Sequence, residues 1–423
     1  MSSKTNDEDR FAAFQYSAFK RFFWARFITS SAVQIVSVAV GWQLWEQTKN
    51  PLILGLIGLV QFLPALLLVL VTGLASDRLG RRMMMAAATA LEFLCAAAIL
   101  AMALTGNFDP FWVLSVLTLF GIARAFYSPA SASLIVNVVP KAHFANAVGW
   151  VTLTWQLASI MGPAAGGLLF GISGPIAYGT AAIMFALSTA IILTIPKPNQ
   201  EMETDPTSWA MILGGFRYIF KEKIVLGAIS LDMFAVLLGG AVALLPIYAS
   251  DILHVGVVGL GLLRAAPAIG AVIMIGILIR FPVRDHAGAI LLLSVAGFGA
   301  ATAVFGISTL AWISITALIF VGAFDMISVY IREIILQLWT PDRVRGRVNA
   351  VNSIFLGASN ELGEFRAGTM AAVWGAVFTV TVGGVAAMGI AALWKGLFPK
   401  IAQTRKLEAP ELDDYLGEIF GEK

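Results

Sequence analysis

Long apolar runs divide this chain into segments of about twenty residues, each bounded by short polar stretches. A helix of that length crosses a hydrocarbon core of roughly 30 Å. Only 13% of the residues are charged, whereas a soluble domain carries about 25%. The sequence therefore predicts an all-α membrane protein that crosses the bilayer many times.

We predict twelve spans in two sets of six, with ends uncertain by two to four residues. The first set covers about 22–45, 51–75, 83–104, 111–136, 143–170 and 174–195, and the second about 223–249, 257–279, 287–306, 311–337, 346–367 and 370–394. Between the sets lies the polar stretch PKPNQEMETDPTSW, followed by AMILGGFRYIFKEK, which predicts an amphipathic helix at the membrane surface. The predicted domains are a cytoplasmic N-terminal segment (1–21), a six-helix bundle (22–195), a cytoplasmic linker (196–222), a second six-helix bundle (223–396) and a cytoplasmic tail (397–423).

The basic residues predict the orientation. Of the 28 Lys and Arg residues, 22 fall on the side that both termini share, and only Lys49 falls in the opposite loops. Cytoplasmic loops carry such an excess, so we expect both termini in the cytoplasm. This topology also explains the net charge of +3, so we expect no nucleic-acid partner. The first 21 residues lack the apolar core and cleavage site of a signal peptide, and the single Cys95 excludes an intrachain disulfide.

The two halves of the chain repeat each other. A shift of about 201 residues aligns Gly121 with Gly322, Arg124 with Asp325, Pro140 with Pro341, Gly162 with Gly363 and Gly167 with Gly368. A shift of about 203 aligns Pro64 with Pro267. Two homologous six-helix halves are typical of two-lobed transporters.

The stretch GLASDRLGRR, between spans two and three, resembles the signature of the major facilitator superfamily. The matching residues are Gly73, Asp77, Arg78, Gly80, Arg81 and Arg82. If this stretch only set the orientation of the chain in the membrane, its basic residues alone would be enough. The resemblance implies a cytoplasmic gate, in which Asp77 lies near the N-terminus of span eleven, where an anion is favoured by about 0.3–1 kcal/mol. The arginines would then face lipid phosphates and neighbouring acids.

Two further motifs fit the same family. Arg124 resembles its buried span-four arginine, although the residues that follow differ from the usual pattern. Span five is similar to the pattern of members that export by antiport, with the matching residues Gly149, Gly162, Pro163, Gly166 and Gly167, while Ala158 replaces a glycine. We expect Gly166 and Gly167 to allow close packing against span eight. The stretch TPDRVRGRVNAVNSIFLGASNELGEF most resembles the subgroup of secretion proteins that contains the bacterial enterobactin exporter, which implies a bacterial inner membrane.

Charged residues within spans are costly and usually functional. Asp325 and Asp232 lie at similar depth, and burial with like-charge repulsion favours proton binding by at least one of them. We predict that they couple transport to protons.

Other charged residues within the spans have different expected roles, some of them with an alternative. Arg124 is expected in the substrate cavity, whereas Arg264 and Glu361 are either cavity residues or a structural ion pair. Glu92 is expected to be a structural tie, with Arg124 as a candidate partner. From their depth along the spans, we expect Arg332 and Glu333 at an interface or gate, and Glu364 and Arg366 in solvent.

Polar and aromatic side chains complete the predicted cavity, namely Gln34, Gln61, Trp155 and Gln156. The three histidines fall in loops, and no metal-ligand cluster, nucleotide-binding loop or catalytic set is visible. We therefore predict no enzyme activity, no cofactor and no metal.

These observations predict a proton-coupled exporter of a small amphipathic organic molecule, such as a siderophore or a drug. Its expected partners are that small molecule, protons and the lipid bilayer, and we expect a monomer. An importer or lipid transporter of the same fold, or a membrane scaffold or sensor that does not transport, remain the alternatives.

Overall fold

Helices account for most of the residues that the computed structural model describes, which are 10–197, 209–405 and 407. Within helices, the side chains of 69–71, 73–79, 209–213, 342 and 343 lie outside the description. No β-strand occurs in the described ranges. The predicted all-α class is confirmed.

The first half of the chain forms six long helices. They are α1 (Ser17–Thr48), α2 (Pro51–Leu79), α3 (Arg81–Thr105), α4 (Pro110–Val138), α5 (Phe144–Ile172) and α6 (Gly174–Thr194). Local chemistry sets their ends. Gly80, between α2 and α3, has a φ of 82°, which favours glycine. At α4, the Asp109 side chain accepts a hydrogen bond of 2.8 Å from the N–H of Phe111, and Pro110 takes the first helical position.

The second half begins with the short helix α7 (Trp209–Lys221), where the sequence predicts the amphipathic linker helix. Six long helices follow: α8 (Lys223–Gly239), α9 (Gly256–Arg280), α10 (Ala287–Ile307), α11 (Ala311–Leu338), α12 (Asp342–Trp374) and α13 (Ala376–Leu397), before the short α14 (Pro399–Gln403). The predicted seventh span is interrupted. After α8, separate helical turns continue to Ile252, and Pro246 lacks the N–H that a continuous helix would use.

Within the described ranges, eleven helical segments are long and apolar enough to cross a membrane. They correspond to α1–α6, to α8 with the turns that follow it, and to α9, α10, α11 and α13. The described helix α12 is 33 residues long but carries several charged residues, among them Glu361, Glu364 and Arg366, which lower its hydropathy. It lies where span eleven was predicted, so the twelve long helices of the described residues match the twelve predicted spans.

Two compact units divide the chain: Met1–Gln43 with Leu63–Pro206, and Leu44–Phe62 with Thr207–Lys423. Each has its own apolar core. The core of the first includes Phe22 and Leu134, and the core of the second includes Leu231 and Ile335. The sequence analysis placed 44–62 in the first bundle, whereas this segment packs within the second unit.

Small residues explain how that segment packs. A Cβ atom at Gly55 of α2 would lie 3.0 Å from the carbonyl oxygen of Phe365, and one at Gly368 would lie 2.6 Å from the Cα of Gly55. The two helix backbones therefore approach closely because neither glycine carries a side chain.

Equivalent glycines in the two halves make equivalent contacts. A Cβ at Gly162 of α5 would lie 2.6 Å from the Cβ of Gln34 on α1. A Cβ at its repeat equivalent, Gly363 of α12, would lie 3.1 Å from the carbonyl oxygen of Val236 on α8. In each half, the fifth long helix thus packs on the first through a matched glycine, which supports the repeat seen in the sequence.

Candidate transport site

Three polar side chains lie on one face in the middle of α11. Asp325, Ser328 and Arg332 are spaced by three and seven residues, which places them on the same side of a helix. Arg332 is only 2% exposed and forms an ion pair with Asp232 of α8, which is 5% exposed. A buried charge of this kind needs a partner, and the two charges neutralise each other.

Asp232 and Asp325 line one small cavity of about 10 Å³, together with Ala235, Val236, Val295, Phe298 and Ser328. The prediction that the two acids lie at similar depth agrees with this arrangement. Ser328 is 3% exposed, and its hydroxyl has no hydrogen-bond partner within the described residues.

The charges around this cavity do not balance when both acids are ionised. Asp232 has its ion pair with Arg332, and Asp325 has neither an ion pair nor a hydrogen bond within the described part of the chain. Electrostatic interaction still reaches Asp325 from both Asp232 and Arg332. Two carboxylates and one guanidinium leave one excess negative charge, which one proton would remove.

Arg332 was expected at an interface or gate, and the structure corrects that expectation. Its side chain is buried beside the two acids. The missed signal was its spacing of seven residues from Asp325, which returns a helix to the same face after about two turns.

A second charged cluster joins α9 to α12. The guanidinium of Arg264 interacts electrostatically with Glu364 and Glu361. Gly58 of α2 makes room beside them, since a Cβ there would lie 2.7 Å from Oε2 of Glu361 and 3.1 Å from Oε2 of Glu364. The expected association of Arg264 with Glu361 is present. Glu364, expected in solvent, belongs to the same cluster.

Arg366 also differs from its expected place in solvent. Its Nη1 lies 3.4 Å from the Sδ of Met370, while Nε and Nη2 are buried and have no hydrogen-bond partner within the described residues. Arg366 was expected in solvent because it lies near the predicted end of span eleven. The helix α12 instead extends to Trp374, so Arg366 does not lie at a helix end.

The first unit has its own charged interior. Glu92 of α3 is 1% exposed and interacts electrostatically with Arg124 of α4, as expected. Neither carboxyl oxygen of Glu92 has a hydrogen-bond partner among the described residues. Arg26 of α1 donates a hydrogen bond of 2.5 Å to Ser131, a further polar contact in this unit.

The uncharged residues of the predicted cavity are distributed over both units. Gln34 packs beside Gly162 on the α1–α5 contact. Gln61, in the second unit, donates a hydrogen bond of 3.1 Å to the carbonyl oxygen of Ile57. Trp155 is 44% exposed and Gln156 is partly buried, both on α5.

The glycines of the antiporter-type pattern differ in their surroundings. Gly162, Pro163, Gly166 and Gly167 are buried, whereas Gly149 is exposed and a Cβ there would have no atom within 4 Å. The nearest atoms to a Cβ at Gly166 belong to Ile35 and Val38 of α1. The expected neighbour was span eight. The observed neighbour is the first helix of the same unit.

The family signature between α2 and α3 is described only in part. The surroundings of Gly73 and the side chains of Asp77 and Arg78 lie outside the description. Arg81 donates hydrogen bonds to the carbonyl oxygen of Ser133 at 3.1 Å and to Oδ1 of Asn137 at 3.0 Å, both near the C-terminus of α4.

Arg82 makes a similar contact at the next helix end. It donates a hydrogen bond of 2.7 Å to the carbonyl oxygen of Ile195, just after α6, and Arg21 of α1 donates to that of Thr194. Cations are favoured at the C-terminal ends of helices. Both arginines of the signature that are described were expected to face lipid phosphates and acids, and they instead anchor α3 to the ends of α4 and α6.

Lys49 forms a network that the sequence analysis missed. Its Nζ lies 2.9 Å from Oε1 of Glu46 and 3.3 Å from Oδ1 of Asp251. Ser250 donates to Glu46 at 2.8 Å, and the indole of Trp45 donates to Asp251 at 3.3 Å. Burial alone would lower the pKa of Lys49. The hydrogen bonds to Glu46 and Asp251 have the larger combined effect, so the pKa lies above its usual value. Lys49 therefore stays protonated and paired through neutral pH. The sequence analysis identified Lys49 only as the single basic residue of the loops on the side opposite the termini.

No group of three potential metal ligands among His, Cys, Asp and Glu occurs in the described ranges. The chemistry that the described clusters offer is the binding and release of a proton at a carboxylate, and the binding of a polar or charged solute by arginine.

Comparison with known proteins agrees with this reading. A family model described as transmembrane secretion effector matches residues 8–414. The enterobactin exporter EntS of Shigella boydii (serotype 4) is 25% identical over 346 residues, which cover 79% of this chain and 81% of that protein. The uncharacterized MFS-type transporter YjbB of Bacillus subtilis is 28% identical over 251 residues, which cover 58% of this chain and 62% of that one.

Solved structures show the same fold. A POT family transporter in complex with 5-aminolevulinic acid has a TM-score of 0.75 at 12% identity, covering 91% of this chain and 97% of that one. A bacterial homologue of the human lysosomal transporter Spinster, in an inward-facing and occupied conformation, has a TM-score of 0.69 at 14% identity, covering 91% and 96%. The matched family and relatives are transporters, not enzymes. Because the family model matches almost the whole chain, this multi-pass membrane protein belongs to the transmembrane secretion effector family of the major facilitator superfamily.

Proposed function

We propose that the protein is a proton-coupled exporter of a small amphipathic organic molecule, and that Asp325 binds and releases the coupling proton. The observation that supports this most strongly is the charge imbalance at the α8–α11 cavity. Asp232 has its ion pair with Arg332, and Asp325 carries the excess charge.

Proton coupling needs an acid that is stable in both protonation states. A lone buried carboxylate is costly, which favours the protonated form. Arg332 lies in electrostatic reach and favours the ionised form. Because these two influences oppose each other at Asp325, a modest change in its surroundings during transport would shift its protonation.

The solute class rests on the sequence pattern and on the relatives. We propose that Arg124, Arg264 and Glu361 bind charged groups of the solute, and that Gln34, Gln61, Trp155 and Gln156 contact its polar and aromatic parts. The relative EntS is an enterobactin exporter, which favours a siderophore or a drug-like amphipath.

Direction and gating rest on the family motifs. We propose that the antiporter-type pattern in α5 has a role in coupling export to proton exchange. Its residues are Gly149, Gly162, Pro163, Gly166 and Gly167. We also propose that Gly73, Asp77, Arg78, Gly80, Arg81 and Arg82 form a cytoplasmic gate. The excess of basic residues supports cytoplasmic termini in a bacterial inner membrane.

The test uses the purified protein in sealed proteoliposomes, with enterobactin and ethidium as probes. If the protein exchanges solute for protons, a lumen more acidic than the outside should drive accumulation of at least one probe. A protonophore should abolish that accumulation, and protein-free vesicles treated in the same way should accumulate less.

The other outcomes separate the alternatives. Transport that is indifferent to the pH gradient would contradict proton coupling. Accumulation only when the outside is more acidic would indicate uptake with protons and contradict export. Failure of both probes to move would contradict the siderophore-or-drug class.

A further inference from the structure

The cavity between α8, α10 and α11 is matched in size to one water molecule. Its volume is about 10 Å³, close to the lower limit for holding a water, which also needs two to four polar partners. Asp232, Asp325 and Ser328 supply such partners. We propose that this cavity binds a single water molecule, and that Ser328 is the positioning residue that holds it against Asp325.

The unsatisfied hydroxyl of Ser328 is the independent observation behind this proposal. Ser328 is 3% exposed and lines the cavity, yet its Oγ has no hydrogen-bond partner among the described residues. A buried polar group without a partner is costly. Water bound between Ser328 and the acids would satisfy that hydroxyl and give Asp325 a hydrogen bond.

The chemistry of the partners explains why water suits a carboxyl that changes its proton. Arg332 can only donate hydrogen bonds, and ionised Asp232 can only accept them. Water and the Ser328 hydroxyl can do both. A water molecule can therefore donate to Asp325 when it is ionised and accept from it when it is protonated, so that neither state is left unsatisfied.

The other walls of the cavity add no charge. Val295 and Phe298 come from α10, and the sequence of α10 contains no Asp, Glu, Lys, Arg or His. The charged groups that act on Asp325 are Asp232 from α8 and Arg332 from its own helix. This inference rests on the proposed role of Asp325, and it assigns to Ser328 a role in the same site.

Infrared difference spectroscopy of the purified protein tests the proposal without a transported solute. Spectra taken across a pH titration should contain a carboxylic C=O band that Asp325→Asn removes. In Ser328→Ala, this band should shift to higher wavenumber, because the carboxyl loses hydrogen bonding. A weakly bonded O–H band that shifts in ¹⁸O-labelled water should be present in the unmodified protein and lost in Ser328→Ala.

Two matched variants distinguish positioning from packing. Ser314→Ala removes another buried hydroxyl of α11 that has no partner among the described residues but does not line the cavity, and it should leave both bands unchanged. Ser328→Thr keeps the hydroxyl and should retain the O–H band.

The outcomes separate this inference from the proposed function. An Asp325 C=O band that is unchanged in Ser328→Ala, together with the absence of any O–H band that shifts in ¹⁸O-labelled water, would overturn the water site and leave the role of Asp325 intact. Absence of any band that depends on Asp325 would overturn the proposed function, and this inference with it.

Discussion

At the scale of residues, the second unit is defined by how its buried charges are partnered. The Asp232–Arg332 pair is almost completely buried, and each charge makes the other tolerable. Asp325 shares the cavity without a pair of its own. The ion pair joins α8 to α11, and we propose that the remaining acid exchanges a proton.

Neutralising a buried, paired acid should therefore lower the free energy of unfolding more than neutralising an exposed acid. Asp232→Asn leaves Arg332 buried without its ion pair, and we expect it to lower the free energy of unfolding by about 3–5 kcal/mol. Asp285→Asn is the matched control, because the contact of Asp285 with Arg405 at 3.7 Å is exposed and should contribute only about 0–1 kcal/mol.

Denaturant unfolding in detergent measures both changes. The double variant Asp232→Leu with Arg332→Met, which removes both charges, should recover most of the stability lost in Asp232→Asn. Equal losses in Asp232→Asn and Asp285→Asn would show that the buried pair is not a structural tie.

At the scale of elements, glycines decide which helices touch. Gly162 and Gly166 lie on the face of α5 that meets α1, and Gly363 has the same role between α12 and α8. At such a close approach, the two helix backbones contact each other directly, with no side chain between them. Membrane helices associate through contacts of this kind because lipid provides no hydrophobic driving force for helix association. The pattern read from the sequence as a transport motif is therefore also a packing motif.

Gly162→Ala tests the packing role. Its new Cβ would lie 2.6 Å from the Cβ of Gln34, so α1 or α5 must shift, at an expected cost of about 1–3 kcal/mol. Gly149→Ala on the same helix meets nothing within 4 Å and should leave stability unchanged or raise it by about 0.5–1 kcal/mol. Thermal unfolding of the two variants compares these effects, and equal behaviour would rule out the close contact at Gly162.

At the scale of the whole molecule, the sequence predicted positions along the chain better than neighbours in space. Apolar runs located the spans because each must cross the same thickness of lipid. The sequence could not show that Leu44–Phe62 packs in the second unit, since helix period does not identify the partner helix. Depth along the helices predicts that Asp325 and Asp232 lie at one level, but it does not predict the burial of Arg332, because depth does not identify the helix face on which a residue lies.

The proposed proton coupling depends on Asp325, so the transport behaviour of Asp325→Asn is the critical test. Asp325→Asn mimics the protonated acid permanently, so the variant in proteoliposomes should still exchange labelled solute for unlabelled solute across the membrane, since exchange needs no proton release.

The same vesicles should fail to accumulate solute under an imposed pH gradient. Asp285→Asn removes an exposed acid whose contact with Arg405 is 3.7 Å long, and it should keep both activities. Exchange without gradient-driven accumulation in Asp325→Asn is the predicted result. Accumulation by Asp325→Asn at the rate of the unmodified protein would contradict proton coupling through Asp325.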